Sequence, residues 1–309
     1  LTVWRAADNH ESFESLIQNY ASENPNVTIR YVHNPAWKDD PDLYLRESID
    51  ALATGKGPDI WSIRNDWLPG QVAKVQPARE GVFPQAFKNA DQAQTGNINT
   101  VKEYFVPVVG ENVVFADKIY GLPLSVDSLA LYINTTIMEQ AASEINESNR
   151  ISAELMPEEV KAIKKILTNG PKDWTEVMKI VPYLTVRQGD TISRSAIAMG
   201  LGSNIEQAPN IISSLLLQNN TKIVTDDNSA AFFQNPQQTA GGTTTYPGQG
   251  AIKFYTYFAK PNFQTYSWNE KDFSQGARKA FMDNRLAMLI EDSSFYATLK
   301  ASNIKFSFN

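Results

Sequence analysis

Two hydrophobic periods alternate through the first 75 residues, and that alternation restricts the fold more than any other feature of the chain. Leu1 to Ala6 reads as a strand. Asp8 followed by Glu11 is a capping-box-like helix start, and Phe13, Leu16, Ile17 and Tyr20 then fall at i, i+3, i+4 and i+7 on one face. Asn24-Pro25-Asn26 closes that helix, and Val27 to Val32 is β-branched and alternating, as a strand requires. Leu45, Ile49 and Leu52 mark a second helix, which Gly55-Lys56-Gly57-Pro58 breaks before a third strand at Asp59 to Ile63. A further helix is predicted over Asp66 to Val75. Strands that alternate with helices in this order form a parallel sheet covered by helices.

The pattern continues less regularly. Glu80 to Gly110 carries no clear period. Asn112 to Gly121 reads as a short hairpin, and Pro123 to Ile133 as one long extended segment. Glu139 to Asn169 is a charged, helix-prone excursion. Asp173 and Glu176 cap an amphipathic helix whose face is Val177, Ile180, Val181 and Leu184. Ile197 to Gly202 is predicted as a strand ending in a glycine turn, with a helix at Ile211 to Leu216 after it. Gln234 to Gln249 is a loop by composition, followed by a helix marked by Ala251, Phe254, Tyr255 and Phe258. Leu286 to Ile290 is a strand, Phe295 to Leu299 a short helix, and Ile304 to Asn309 the start of a strand.

At 309 residues the chain suits two domains of roughly 150 residues each. A hydrophobic fraction of 42% is enough for a sizeable core and places the chain outside the disordered class. A net charge of -6 and a pI near 5.1 argue against nucleic acid and against an anionic membrane surface as partners. The absence of cysteine excludes disulfides, thiolate zinc sites and a thiol nucleophile. With only His10 and His33, no histidine-based metal or catalytic centre is expected, and no cofactor. No apolar run approaches the ~20 residues that span a bilayer. Because Leu1 already lies in strand-like sequence, an upstream targeting segment is expected to have been removed.

Nucleophile elbow, zinc-protease and phosphate-loop signatures are missing. Gly55-Lys56-Gly57 follows a helix instead of a strand, and Gly200-Leu201-Gly202 reads as a tight turn. Position is more informative. In open α/β sheets, ligands bind beyond the carboxyl ends of the strands. There this chain places Asp8 and Asn9, then Asn34 and Trp37, then Asn65, Asp66 and Trp67, and later Asn204. Asn and Asp suit sugar hydroxyls, and flat aromatic rings suit the apolar face of a pyranose. Trp37 and Trp268 both fall in polar stretches with no periodic reason to be apolar, so both are predicted to face a ligand from opposite lobes. Asp8 and Trp67 each have a second reading, as a helix cap and as the apolar start of a helix. Glu291-Asp292 is the most suggestive carboxylate pair for a glycosidase, although nothing in the spacing selects catalysis over hydrogen bonding.

Several segments together resemble a family, the bacterial extracellular solute-binding proteins of the sugar-transport branch, which includes maltose-binding protein. They are Leu1-Thr2-Val3-Trp4 with the Phe13-to-Pro25 helix, Gly57-Pro58-Asp59-Ile60-Trp61, and Lys118 to Pro123 followed by Val126 to Asn134. Asp173-Trp174-Thr175-Glu176 and Ala280 to Met288 complete the set, in the family's order. The resemblance implies a two-lobed α/β fold of the periplasmic-binding-protein type II class, with a ligand cleft between lobes that closes on binding. It also implies delivery to the transmembrane permease subunits of an ABC importer from a periplasmic or lipid-anchored position. The chain departs from the family at Asp292-Ser293-Ser294, where Ser294 stands for a sugar-stacking Trp, with Phe295 and Tyr296 as its neighbours. Asp283-Asn284 replaces a glycine-containing turn, and family members continue well beyond this length.

The expectation is therefore a monomeric, non-enzymatic carbohydrate receptor. Residues 1–126 form the first lobe, 127–305 the second, and 306–309 the start of a second hinge strand, the remainder of the fold being missing. On that reading lobe one has an unpaired strand edge and an uncovered apolar patch. Asp127, Asp292 and Phe295 join the ligand-facing set. Two alternatives stay open: a receptor for a cationic solute such as a polyamine, and a polysaccharide-cleaving enzyme using Glu291 or Asp292.

Overall fold

A computed structural model describes residues 1–6, 11–83, 97–147, 156–225 and 231–309. The chain divides into two compact units, Leu1–Val126 and Asp127–Asn309.

Unit 1 is built on a three-stranded parallel sheet of β1 (Thr2–Trp4), β2 (Arg30–Val32) and β3 (Ile60–Trp61), in the order β2-β1-β3. Val3 pairs with both Tyr31 and Ile60, so β1 is central. The strands are shorter than the sequence suggests; Val27 to Ile29 approach β1 without joining the ladder. Between the strands run α1 (Glu11–Glu23), α2 (Pro35–Asp39) and α3 (Pro41–Ala53). Asn34 caps α2, accepting from the Ala36 N–H at 3.1 Å, and Asp40 caps α3, accepting from Leu43 N at 2.9 Å. After β3 comes α4 (Leu68–Gln71), then α5 (Asn97–Tyr104) and α6 (Pro107–Val113). The predicted hairpin is β4 (Val114–Phe115) against β5 (Lys118–Ile119), with Ala116 and Asp117 both at positive φ in its two-residue turn. A small core of Phe83, Val101, Val109, Val113 and Ile119 joins α5, α6 and the hairpin. The apolar face of α1 is not fully covered: none of its residues is buried, and Leu16 is 62% exposed. Among the described residues no named strand pairs with the outer side of β2 or β3.

Unit 2 holds a four-stranded mixed sheet in the order β6-β11-β8-β7, from β6 (Leu129–Ile133), β7 (Val186–Gln188), β8 (Thr191–Ile197) and β11 (Leu286–Asp292). β11 runs parallel to β8 and antiparallel to β6. Helices α7 (Thr135–Glu147), α8 (Pro157–Asn169) and α9 (Trp174–Leu184) pack on the sheet with α10 (Ala208–Gln218), α11 (Pro247–Thr256), α12 (Ala277–Met282) and α13 (Phe295–Ala301). Their apolar faces close on a large continuous core that includes Ile180, Leu184, Ile197, Phe258, Trp268 and Phe281. Each such aliphatic or aromatic side chain contributes about 1.5–3 kcal/mol by leaving water.

Two expectations are corrected here. The strand predicted at Ile197 to Gly202 lies six residues earlier, at β8, and Ala198 to Gly202 is the turn beyond it. The predicted loop Gln234 to Gln249 contains a short hairpin, β9 (Gln237–Gln238) with β10 (Thr244–Thr245), and the first turn of α11. Residues 306–309 lie within unit 2: Phe308 bridges Asn134 antiparallel, and Asn309 exchanges backbone hydrogen bonds with Ile133 at 2.8 and 3.0 Å.

Candidate functional site

The carboxyl ends of the parallel strands in unit 1 carry Arg5, Asn34 and the segment Ser62 to Trp67. Arg5 is nearly buried, with its guanidinium 4.6 Å above the Phe13 ring. Arg64 grips Asp66 through two bonds of 2.9 and 2.8 Å and lies 5.4 Å over the Trp67 ring. The Asn65 amide donates to Asn112 Oδ1 at 2.8 Å. Asn65 and Asp66 are exposed, Trp67 and Asn34 half-buried. Asp8 and Asn9 lie outside the described residues.

Trp37 does not face a ligand, and that expectation is corrected. Its stretch forms helix α2, which turns the indole inward to 3% exposure. There it stacks on Trp4 at 5.2 Å, meets Tyr44 edge-on at 5.1 Å, and donates its N–H to Glu47 Oε2 at 2.6 Å. Tyr44 in turn donates to the carbonyls of Trp4 and Ser62, tying α3 across the ends of β1 and β3.

Trp268 is corrected for the same reason. It is wholly buried in unit 2, stacked on Phe273 at 4.2 Å, with its indole N–H on Asn204 Oδ1 at 3.0 Å. Asn204 spends its amide on the Asn269 and Phe273 carbonyls at 3.2 and 3.1 Å, so it serves this core and not a ligand. Phe295 is also core, 6% exposed, edge-on to Tyr132 at 5.8 Å and beneath the Arg278 guanidinium. The exposed aromatic of that loop is Tyr296, at 51%.

What remains on the carboxyl edge of the unit 2 sheet is polar. β11 ends at Asp292 beside the start of β6, so Asp127-Ser128 and Asp292-Ser293-Ser294 come together. Ser293 N donates to Ser128 O at 2.8 Å. Asp127 accepts from the Ser293 hydroxyl, from Ser294 N at 3.3 Å and from Ser128 N at 2.8 Å. Partial burial works against the Asp127 charge, but the bonds from Ser293, Ser294 and Ser128 prevail and hold its carboxyl at about 2. The Tyr132 hydroxyl donates to the Asp292 and Ser293 carbonyls, both at 2.9 Å, fixing the turn from below.

Adjacent strand residues point to opposite faces, and Glu291 and Asp292 divide accordingly. Glu291 is fully buried. Arg278 binds it through two bonds of 2.7 and 2.8 Å, and Gln207 and the Asp292 N–H add bonds of 2.6 and 2.9 Å. Three of these donors converge on Oε1 and one on Oε2, and the carboxylate is out of reach of solvent, so Glu291 serves the packing of unit 2 and the reading of it as a glycan-cleaving carboxylate is withdrawn. Asp292 is half-buried and takes the second proton of the same Gln207 amide at 2.7 Å. Burial, then the charges of Glu291 and Asp127, push its carboxyl above the usual range. Gln207 and Arg278 were not anticipated: each reads as an ordinary polar residue near a helix start, and no local spacing links them to Glu291. Among the described residues no cluster of three or more His, Asp or Glu is arranged to hold a metal ion.

Comparison with solved structures places this architecture. The chain is similar to an ABC transporter solute-binding protein from Thermotoga lettingae solved with alpha-D-tagatose, at 23% identity and a TM-score of 0.58, over 98% of this chain and 64% of that one. It is also similar to the maltose/maltodextrin-binding domain from Bdellovibrio bacteriovorus bound to maltotriose, at 15% identity and a TM-score of 0.60, over 100% and 64%. A third likeness is the GacH receptor of Streptomyces glaucescens, studied with acarbose, at 14% identity and a TM-score of 0.63, over 100% and 65%. No protein-family model matches the sequence, and no curated protein is significantly similar to it. The chain thus has the α/β fold of two-lobed solute-binding proteins, and it spans about 64% of the length of the first of these structures.

Proposed function

We propose that this chain captures a carbohydrate, an oligosaccharide by preference, and presents it intact to the membrane permease of an ABC importer from outside the cytoplasm, periplasmic or lipid-anchored, as a monomer. The observation that carries this reading is the carboxyl edge of the unit 2 sheet. Asp127, Ser293, Ser294 and Asp292 there offer acceptors and hydroxyls on a turn braced by Tyr132 and closed by Ser128. In unit 1, taken by itself, Asn34, Asn65, Asp66 and Trp67 are exposed or half-buried and follow the carboxyl ends of the strands. Such groups suit the hydroxyls of a sugar, and the solved structures of this fold named above were obtained with tagatose, maltotriose and acarbose.

A second reading has one observation in its favour. Ser294 presents no ring where a stacking platform is expected, while Asp127 and Asp292 supply two carboxylates, which also suits a cationic solute such as a polyamine. A thermal-shift panel separates the two. A ligand at a hundred times its dissociation constant stabilises by about 2.7 kcal/mol. Maltotriose, mannobiose or a related oligosaccharide is expected to raise the melting temperature in a saturable way, with spermidine inactive. Spermidine alone giving the shift overturns the carbohydrate reading.

A further inference from the structure

The Gln207 side chain sits where α10 begins, 7% exposed, between two carboxylates that belong to consecutive residues of one strand. Its single amide nitrogen reaches Glu291 Oε1 at 2.6 Å and Asp292 Oδ2 at 2.7 Å. A primary amide nitrogen carries two protons, so each carboxylate receives one. The far end of the same amide is anchored: Asn210, one turn along α10, donates to Gln207 Oε1 at 2.6 Å. The two carboxylates decide which way the amide faces, because the reversed orientation would set an oxygen against two anions, and the Asn210 bond holds it there.

The charges around Asp292 are Glu291 beside it on β11, Asp127 before β6 and Arg278 reaching in from α12; Glu206, before α10, acts on Arg278. Arg278 is committed to Glu291 through both of its bonds, and its backbone N–H faces the Glu206 carboxylate at 3.3 Å. Gly276, at φ +91, makes room for that carboxylate, since a Cβ there would come within 2.7 Å of Glu206 Oε1. Among the described residues the cation recorded beside Asp292 is Arg278, and its hydrogen bonds go to Glu291. Asp292, facing two neighbouring anions, takes its side-chain hydrogen bond from a neutral amide. An Arg or Lys in place of Gln207 would cancel the Asp292 charge, and a Glu would add a third repelling anion.

We propose that Gln207 is the positioning residue of the unit 2 edge: it holds the Asp292 carboxylate ionised and fixed in direction, so that the protein meets its ligand with a preset acceptor for hydroxyl hydrogens. Asp292 Oδ1 has no hydrogen-bond partner among the described residues and is the atom left to accept them. The inference rests on the carbohydrate-capture reading for its purpose, while its test is read without any ligand.

The test is a carbon-13 titration of the side-chain carboxyls in the intact chain, comparing wild type with Gln207→Leu and Asn210→Ala. Losing the amide donor is expected to raise the Asp292 midpoint by about one pH unit. Asn210→Ala, at an exposed position, is expected to move it the same way by less, and it decides the matter if Gln207→Leu does not fold. A merely structural role would lower the melting temperature and leave the midpoint in place. An Asp292 midpoint that stays put or falls in a folded variant overturns the proposal. Since no sugar is present, an unsuccessful ligand panel and an unmoved midpoint are separate failures.

Discussion

The indole N–H groups of Trp37 and Trp268 explain why neither ring is free for a ligand. A buried Trp needs a partner for that donor, and Glu47 and Asn204 supply one in each unit. Trp268→Ala is expected to cost about 3–5 kcal/mol of unit 2 stability. Trp268→Phe, which keeps a ring against Phe273 but strands Asn204 Oδ1, should cost about 1–3 kcal/mol. Urea unfolding measures both, and a stability change near zero would return Trp268 to the surface. Asp127 behaves oppositely. Its pKa is depressed from 3.8 to about 2, so its contribution is present above pH 3.8 and disappears as pH falls through that window towards 2. Asp127→Asn is therefore expected to lower stability by less than about 1 kcal/mol at pH 7, as befits an exposed group. The difference from wild type should vanish in acid; one that persists below pH 2 contradicts the hydrogen-bonded account of the Ser293 turn.

At the scale of elements, the residues of the proposed site follow strand ends more than strand interiors. Glu291-Asp292 reads from sequence as a carboxylate pair at the end of a strand, whereas its meeting with Asp127 comes only from the antiparallel pairing of β11 with β6. β8 was displaced in the sequence reading because Ser193 and Ser195 break its apolar alternation. Ser195 is nevertheless buried, satisfied by Ser267, whose hydroxyl also accepts from Ala196 N at 2.8 Å. Trp37 was misread because a five-residue helix with an Asn cap and a Pro at its start looks like a loop. Gln207 and Arg278 left no trace, since their partner Glu291 lies 84 and 13 residues away in sequence. The Arg278–Glu291 pair yields an expectation for α12 and β11 together. Arg278→Ala leaves a fully buried carboxylate without its cation and should cost about 3–5 kcal/mol. Adding Glu291→Gln should recover much of that loss, and a purely additive double mutant would sink the pairing. Gly200, at φ +107 with Ala259 N only 2.7 Å from a would-be Cβ, lies in the turn after β8; Gly200→Ala is expected to cost at least about 1–3 kcal/mol by thermal unfolding.

For the whole molecule, the two units differ in how much core they own. Among the described residues, unit 2 buries a continuous set of side chains from its sheet and its helices, whereas the cluster beneath the unit 1 hairpin has five buried members and α1 has none. Hydrogen exchange is accordingly expected to protect β8 and β11 far more than β1 and β2, and equal protection would contradict the division. The α/β class and the order of elements in unit 1 follow from periodicity, because parallel strands and amphipathic helices have distinct repeats. The polar edge that carries the proposed function is instead a product of tertiary pairing between residues 127 and 293. Equilibrium dialysis against a mixture of defined oligosaccharides, with chromatography of the retained sugar, tests that function most directly. An oligosaccharide retained at one per chain, unchanged in length and lost in Asp292→Asn, is the expected result. No sugar retained, or a retained sugar shortened on standing, would contradict a receptor that captures carbohydrate and releases it whole.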